Sequence, residues 1–431
     1  MASGSLAAPS LDVPSADRSL GPLRLRVPAM TVAACWAAFL GVAWLDIDGF
    51  QRFLVRVAAA AVALFIVAGW WLLQRRYRLR DRWMVMLAMP PIVVGVLVLM
   101  HPTARELGFA LILYIVPAML TAWVAWLAWR GQSSSAAVSA GMIALAAACW
   151  SAALLVRMDG LSGQGATMLH WRWTPSAEGQ FLAEQTAARP QATPPAENVA
   201  EAPPLQATAE DWPGFRGAQR DGVVRGTSIR TDWDAAPPVR LWKRRVGPGW
   251  SSIVVVGNRL YTQEQRGENE AVVCCDADTG RPVWVHEDAA RFAEAMGGVG
   301  PRATPTFHEG RVYSLGATGV LNCLDAATGR LRWSRNVADD GQGRVPYWGF
   351  CSSPLIVDDC VIVFAGGGGD RNPEAPADAG EQARPPAATP QTLLAYAADD
   401  GELRWQMPAG AHSYSSAQLA ELDGQRQVLF L

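Results

Sequence analysis

Acidic side chains are almost missing between residues 28 and 156, where Ala, Leu, Val and Trp predominate. That absence excludes an ordinary water-facing surface for this stretch. The whole chain holds only 5 histidines, and His286, His308 and His412 share no metal-ligand spacing. They are expected at the surface. No Ser-His-Asp order and no pair of carboxylates stands out for nucleophilic or acid–base work. The formal net charge is −2 with no long basic run, so nucleic acid is not an implied partner. The glycines at 366–369 lack the strand-to-helix setting of a phosphate loop.

The acid-poor region contains five apolar runs, roughly 29–45, 53–74, 83–100, 107–129 and 135–156. Each is near the ~20 residues that cross ~30 Å of hydrocarbon as a helix. Uninterrupted apolar runs satisfy their backbone there only as helices. No convincing cleavage site follows the first run, which is expected to be a retained anchor. Trp44, Trp70, Trp71, Trp83 and Trp129 lie near run ends, where interfacial rings belong. Arg18, Arg24 and Arg26 precede the first run, and "RRYRLRDR" follows the second. The positive-inside rule then puts the N-terminus in the cytoplasm, and five crossings put the remainder outside. Arg56 lies one turn inside the second run and can snorkel. Pro90, Pro91 and Pro117 are expected to kink their helices. With no histidine pair or acidic cluster in the runs, anchoring is expected rather than transport or a quinone site.

Four regions follow. Residues 1–27 form a cytoplasmic tail, 28–156 the membrane helices, 157–210 a juxtamembrane segment and Pro/Ala-rich tether, and 211–431 a repetitive region. The tether cannot bury enough apolar surface to fold. The piece before it is expected near the membrane surface, with Trp171 and Trp173 at the headgroups.

Three segments of the last region align: "AVVCCDADTGRPVW", "GVLNCLDAATGRLRW" and "TLLAYAADDGELRW". In each, an apolar strand meets a turn, then glycine, then tryptophan four residues later: Gly280 with Trp284, Gly329 with Trp333, Gly401 with Trp405. Asp276 and Asp325 can accept from turn amides, and glycine supplies the positive φ that ends the loop. The second strand is expected to carry its indole onto a neighbouring unit. A second series, beginning "SSIVVVGNRLYT", "ATPTFHEGRVYS", "SSPLIVDDCVIVF" and "SSAQLAELDGQRQVLF", interleaves with the first. Four strands per unit, repeating every ~40–50 residues, mean β-propeller blades.

The three runs resemble the tryptophan-docking motif [L/V]-x-A-x-D-x-x-T-G-x-x-x-W of pyrroloquinoline-quinone (PQQ)-type propeller repeats, with Ala397 at the first Asp position of the third. That repeat, of the broader WD40/YVTN-like class, occurs in quinoprotein alcohol dehydrogenases and in a non-enzymatic outer-membrane assembly lipoprotein. The resemblance implies a multi-domain chain: a five-helix transmembrane bundle, then an all-β propeller of about three and a half blades, with a disordered insertion near 366–390. "PPVRLWKRRVG" resembles an outermost strand with Trp242 in the docking place. The ring is therefore expected to stay incomplete in this chain, as in an N-terminal portion of a longer protein. Cys274 and Cys275 align with Cys323 and Leu324, ordinary third-strand positions. They are expected to face opposite ways rather than form a ring over a cofactor, although an oxidising compartment leaves pairing among Cys274, Cys275, Cys323, Cys351 and Cys360 open.

Ligands of propellers meet the mouth of the central channel. Trp250, Arg302, Phe350 and Tyr414, just before Ser252, Thr304, Ser353 and Ser416, are the binding candidates there. The competing reading has them packing the blade tops and satisfying local backbone groups. No catalytic residue and no protein metal site is identified. The expected function is an inner-membrane protein presenting a periplasmic propeller to a protein partner or small ligand. The alternative that the resemblance implies is a membrane-bound alcohol or sugar dehydrogenase using PQQ and Ca²⁺ and passing electrons to membrane quinone.

Overall fold

The computed structural model describes residues 23–106, 108–161, 167–188, 205–226, 228–294, 296–366, 392–409 and 413–430. The N-terminal tail at 1–22, the stretch 189–204 of the expected tether, the insertion from 367 and His412 lie outside these residues. The chain divides into two compact units, Met1–Thr174 and Pro175–Leu431.

The first unit is built from α1 (Arg26–Gly41), α2 (Gly49–Leu73), α3 (Leu79–Leu99), α4 (Gly108–Arg130) and α5 (Ser135–Ser151). With their flanking turns, five helices here are long and apolar enough to cross a membrane. Helix starts fall where side chains satisfy orphan amides: Asp48 accepts from Gln51 N at 2.8 Å and Ser134 from Ala137 N at 3.4 Å. Inside the bundle Trp123 Nε1 donates to Met142 O at 2.8 Å, and Gly141 leaves room for the Trp126 indole. Arg56 turns inward instead of snorkelling: its Nε donates to Phe39 O at 3.2 Å and its guanidinium lies 4.8 Å from the Phe39 ring centroid. A hairpin forms at the start of the juxtamembrane segment, β1 (Val156–Leu161) and β2 (Thr167–Trp171). It ends in Trp171 and Trp173, exposed and stacked with centroids 5.3 Å apart.

The second unit opens with α6 (Ala177–Ala188), where an unstructured tether was expected. Phe181 explains the helix: it is buried, with the Arg266 guanidinium 5.8 Å from its ring centroid. Glu178 fixes one end through a two-armed pair with Arg291 at 2.8 and 3.2 Å. Three antiparallel four-stranded sheets follow. The first is β3 (Val254–Val256), β4 (Arg259–Arg266), β5 (Asn269–Asp276) and β6 (Pro282–Asp288). A short hairpin, β7 (Ala293–Glu294) and β8 (Gly298–Val299), leads to the second sheet: β9 (Thr306–His308), β10 (Arg311–Leu315), β11 (Val320–Asp325) and β12 (Leu331–Asn336). The third is β13 (Leu355–Val357), β14 (Cys360–Phe364), β15 (Leu393–Ala397) and β16 (Leu403–Met407), and a two-stranded sheet, β17 (Gln418–Leu422) and β18 (Gln425–Leu429), comes last. No closed ring forms among the described residues. This is an incomplete propeller.

Each seam uses the same device. Trp242 lies on Gly280, Trp284 on Gly329 and Trp333 on Gly401, so each of these three indoles docks on the turn of the next repeat, while Trp405 is 39% exposed. A Cβ at those glycines would meet the rings at 2.5–2.7 Å, and φ there is +68° to +72°. Only glycine meets both demands. The indole Nε1 donates to a carbonyl of the same turn: Ala277 O at 2.8 Å, Ala326 O at 3.0 Å and Ala398 O at 3.0 Å. Tyr261 and Tyr313 hydroxyls donate to the last two of these carbonyls at 3.2 and 3.1 Å. The turns are shaped by Asp276 and Asp325, each accepting from the amide and hydroxyl of a threonine three residues on. The segment 238–247 docks through Trp242 yet joins no sheet.

Cys274 and Cys275 alternate on β5, as strand geometry requires. Cys274 joins the apolar cluster at the seam, and Cys275 packs with Ala271 and Val273 on the opposite face. All seven cysteines are free thiols. A strap at 211–220 then crosses the innermost strands. Trp212 and Val255 exchange backbone bonds at 2.8 and 2.9 Å, Pro213 O accepts from Phe307 N, and buried Arg220 donates to Ser353 O, Pro354 O and Ala417 O. Burial lowers the Arg220 guanidinium to about 10.

Trp333→Ala should destabilise the second unit by about 3–5 kcal/mol, as for other large buried aromatics. Denaturant unfolding monitored by circular dichroism reads this directly, and a loss below ~1 kcal/mol would contradict the docking role.

Candidate functional site

The expected channel-mouth residues do come together at one end of the sheets, but the fold uses most of their polar groups. Thr304 Oγ1 accepts from Ser252 N at 3.1 Å, Ser353 Oγ from Thr304 N at 3.0 Å, and Ser416 Oγ from Ser353 N at 2.9 Å. The repeated hydroxyls thus form a relay that ties each innermost strand to the next. Their recurrence follows the backbone amide that each accepting hydroxyl pairs with.

Arg302 is similarly engaged. Its Nη2 meets Glu294 Oε1 at 3.0 Å and Gly298 O at 2.8 Å, its Nη1 meets Gly300 O at 3.0 Å, and its Nε meets Trp348 O at 3.3 Å. The Phe292 ring centroid lies 5.1 Å from the guanidinium carbon. Burial lowers its pKa, and Glu294 opposes that shift. The residue staples the β7–β8 hairpin to the turn before β13. Phe350 is 2% exposed and packs on Gly319, so it is core rather than mouth. Trp250 is exposed at 65%, with its Nε1 on Gly297 O. Trp348 and Tyr347 are also exposed, and the Tyr414 ring lies 5.0 Å from that of Trp348.

PQQ is a planar quinone bearing three carboxylates, which calls for cationic donors beside a flat face. The flat faces are present, but the mouth arginine is already bonded through each of its nitrogens. The described mouth residues therefore do not form a cradle for that group. Cys351 lies near Arg302, and burial pushes its thiol up to about 11, away from nucleophilic character.

Two features escaped the sequence reading. One is a cavity of about 620 Å³ beneath the strap, lined by Leu205, Pro213, Arg220, Phe307, His308 and Leu355 among others. Its walls come partly from a turn-rich loop that shows no periodicity and partly from β9 and β13. The other is Glu270, a buried carboxyl on β5. Burial pushes it up to about 7, against a bond from Ala317 N at 3.1 Å, with Asp288 raising it further and Arg302 opposing. His286, expected at the surface, lies largely buried beside Asp288, 3.4 Å from its carboxylate.

The description "Outer membrane protein assembly factor BamB" belongs to the family model that matches residues 227–368 and again 268–431. No curated protein matches the chain. Among solved structures, quinohemoprotein alcohol dehydrogenase ADHIIG from Pseudomonas putida HK5 aligns at 21% identity over 37% of this chain and 20% of that one, with a TM-score of 0.26. The quinohemoprotein alcohol dehydrogenase from Comamonas testosteroni gives 22%, 52%, 30% and 0.32. BamB from Moraxella catarrhalis gives 17%, 39%, 39% and 0.25. The chain thus spans less than a third of either dehydrogenase.

In the absence of divalent cations, the second unit should lose stability as pH rises through about 7, because folded Glu270 holds its proton more tightly than an unfolded carboxyl near 4.5. The contribution is present in full below about 4.5. Urea midpoints in chelator from acid to alkaline pH check this, and Glu270→Gln should flatten the profile. Ser353→Ala should cost about 1–3 kcal/mol, since it strips the acceptor from buried Thr304 N. A loss below ~0.5 kcal/mol would remove the relay from the account.

The indole–glycine seams, the four-stranded sheets and the repeat match agree: residues 227–431 carry PQQ-type β-propeller repeats, and apolar helices precede them.

Proposed function

We propose that the chain is anchored in the inner membrane with its N-terminus in the cytoplasm, and that its propeller stands in the periplasm as a binding surface for a protein partner. The observation that carries this reading is the division of labour at the mouth. Arg302 and the hydroxyls of Thr304, Ser353 and Ser416 are committed to backbone and neighbouring groups, while Trp250, Tyr347 and Trp348 leave their rings exposed. Exposed aromatic anchors on rigid loops suit a protein interface, where Trp and Tyr supply most of the binding energy. The arginine-rich loop after the second helix supports the orientation.

A phosphatase reporter fused at Thr174 should be active only outside the cytoplasm. Crosslinking in intact cells should capture a partner of the wild-type chain that Trp348→Ala or Trp250→Ala loses at unchanged protein level. Dye reduction by an alcohol or sugar after adding PQQ and Ca²⁺ would overturn this reading in favour of the dehydrogenase.

A further inference from the structure

Gln265, Glu270 and Asp288 face one another across β4, β5 and β6 in a single register row. Cross-strand partners point to the same face of a sheet, and this face meets the second sheet. There Ala317 N donates to Glu270 Oε1 at 3.1 Å, and Asn322 Nδ2 lies 2.6 Å from Asp288 Oδ2. Gly316 leaves the space into which Glu270 Oε2 projects.

The row is under-satisfied. Glu270 Oε2, Asn322 Oδ1 and Gln265 Oε1 are buried without a hydrogen-bond partner. Glu270 is 5% exposed, Asn322 2% and Gln265 0%. The Asn322 amide is anchored by its nitrogen on Asp288. Two carboxylates lie here, and the nearest guanidinium, Arg302, is paired to Glu294. Buried acceptors and uncompensated negative charge of this kind call for a cation or a proton. The donors are all oxygens, two of them neutral amide carbonyls. That chemistry selects a hard ion over a thiophilic metal.

We propose that the seam between the first two sheets binds one Ca²⁺ through Glu270, Asp288 and Asn322, with Gln265 beside them. This site lies between blades, within the field of Arg302, and requires neither cofactor nor the function proposed above. With two charged ligands its affinity falls in the weak range of extracellular modules, Kd on the order of 0.1–1 mM. The ion ties β5 and β6 to β11. Asp288, Arg302 and His286 are the other titratable groups facing Glu270.

The test uses the full chain in detergent, stripped with chelator and titrated with Ca²⁺ or Mg²⁺ at pH 8 while thermal unfolding is followed. A saturable rise in Tm with Ca²⁺, weaker with Mg²⁺, is expected. Glu270→Gln and Asn322→Leu should each abolish the rise, while chelator-treated Tm and circular dichroism show that both variants fold. Asp288→Asn gives a third, independent removal of charge. Isothermal titration should report one site per chain. The proposal is overturned if Ca²⁺ leaves the wild-type Tm unchanged, which would assign the gap to water. It is equally overturned if the folded variants keep the full rise, which would place the ion elsewhere.

Discussion

The second unit depends on an aromatic plane lying flat on a glycine. A β-sheet of four short strands leaves two apolar faces to cover, and a neighbouring sheet covers them only if the gap is filled. Indole fills it at Trp242, Trp284 and Trp333, each lying on a glycine of the next repeat and donating to a carbonyl of the same turn. The two halves of the contact lie in different repeats. Stability is therefore passed from each blade to its neighbour, and the hydroxyl relay and the Arg220 strap repeat the same logic on the inner strands. Asp276 and Asp325 brace the first two turns through Thr279 and Thr328, while Gly401 reaches the same φ with Ala397 in the aspartate position.

Much of this was readable from the residues. The spacing from Gly280 to Trp284 and from Gly329 to Trp333 fixes a turn and a strand, and five apolar runs give five helices whose bounds agree within a few residues. Cys274 and Cys275 were legible because alternation decides their faces. What failed was anything set by tertiary contact. Nothing in "AEGQFLAE" announces that Phe181 will be buried, so the helix is not legible in a piece expected only near the membrane surface. Phe350 looks like a mouth residue by repeat position, yet the positive-φ Gly319 opens room for it in the core. Arg56 reads as a snorkelling residue because its partner, Phe39 O, lies on another helix.

The candidate site shows the same limit more sharply. Repetition of Ser252, Thr304, Ser353 and Ser416 signals a shared need, and sequence alone cannot tell a shared backbone need from a ligand. Their partners decide: each accepting hydroxyl receives a bond from the preceding blade. Glu270 went unnoticed for the opposite reason. It sits once, in one blade, and its burial arises only when β5 meets the 316–318 turn of the second sheet. Polar groups that recur hold the propeller together, whereas Glu270, Gln265 and Asn322 leave buried oxygens without partners at the first seam.

The seam device itself is tested most directly by a double-mutant cycle on Trp284 and Gly329. The ring blocks a Cβ at Gly329, so Gly329→Ala should cost less in a Trp284→Ala background than in the wild type. A coupling of about 1–3 kcal/mol is expected for residues in contact. Additivity within ~0.5 kcal/mol would mean that the two residues do not meet, and that the sheets are held together in some other way.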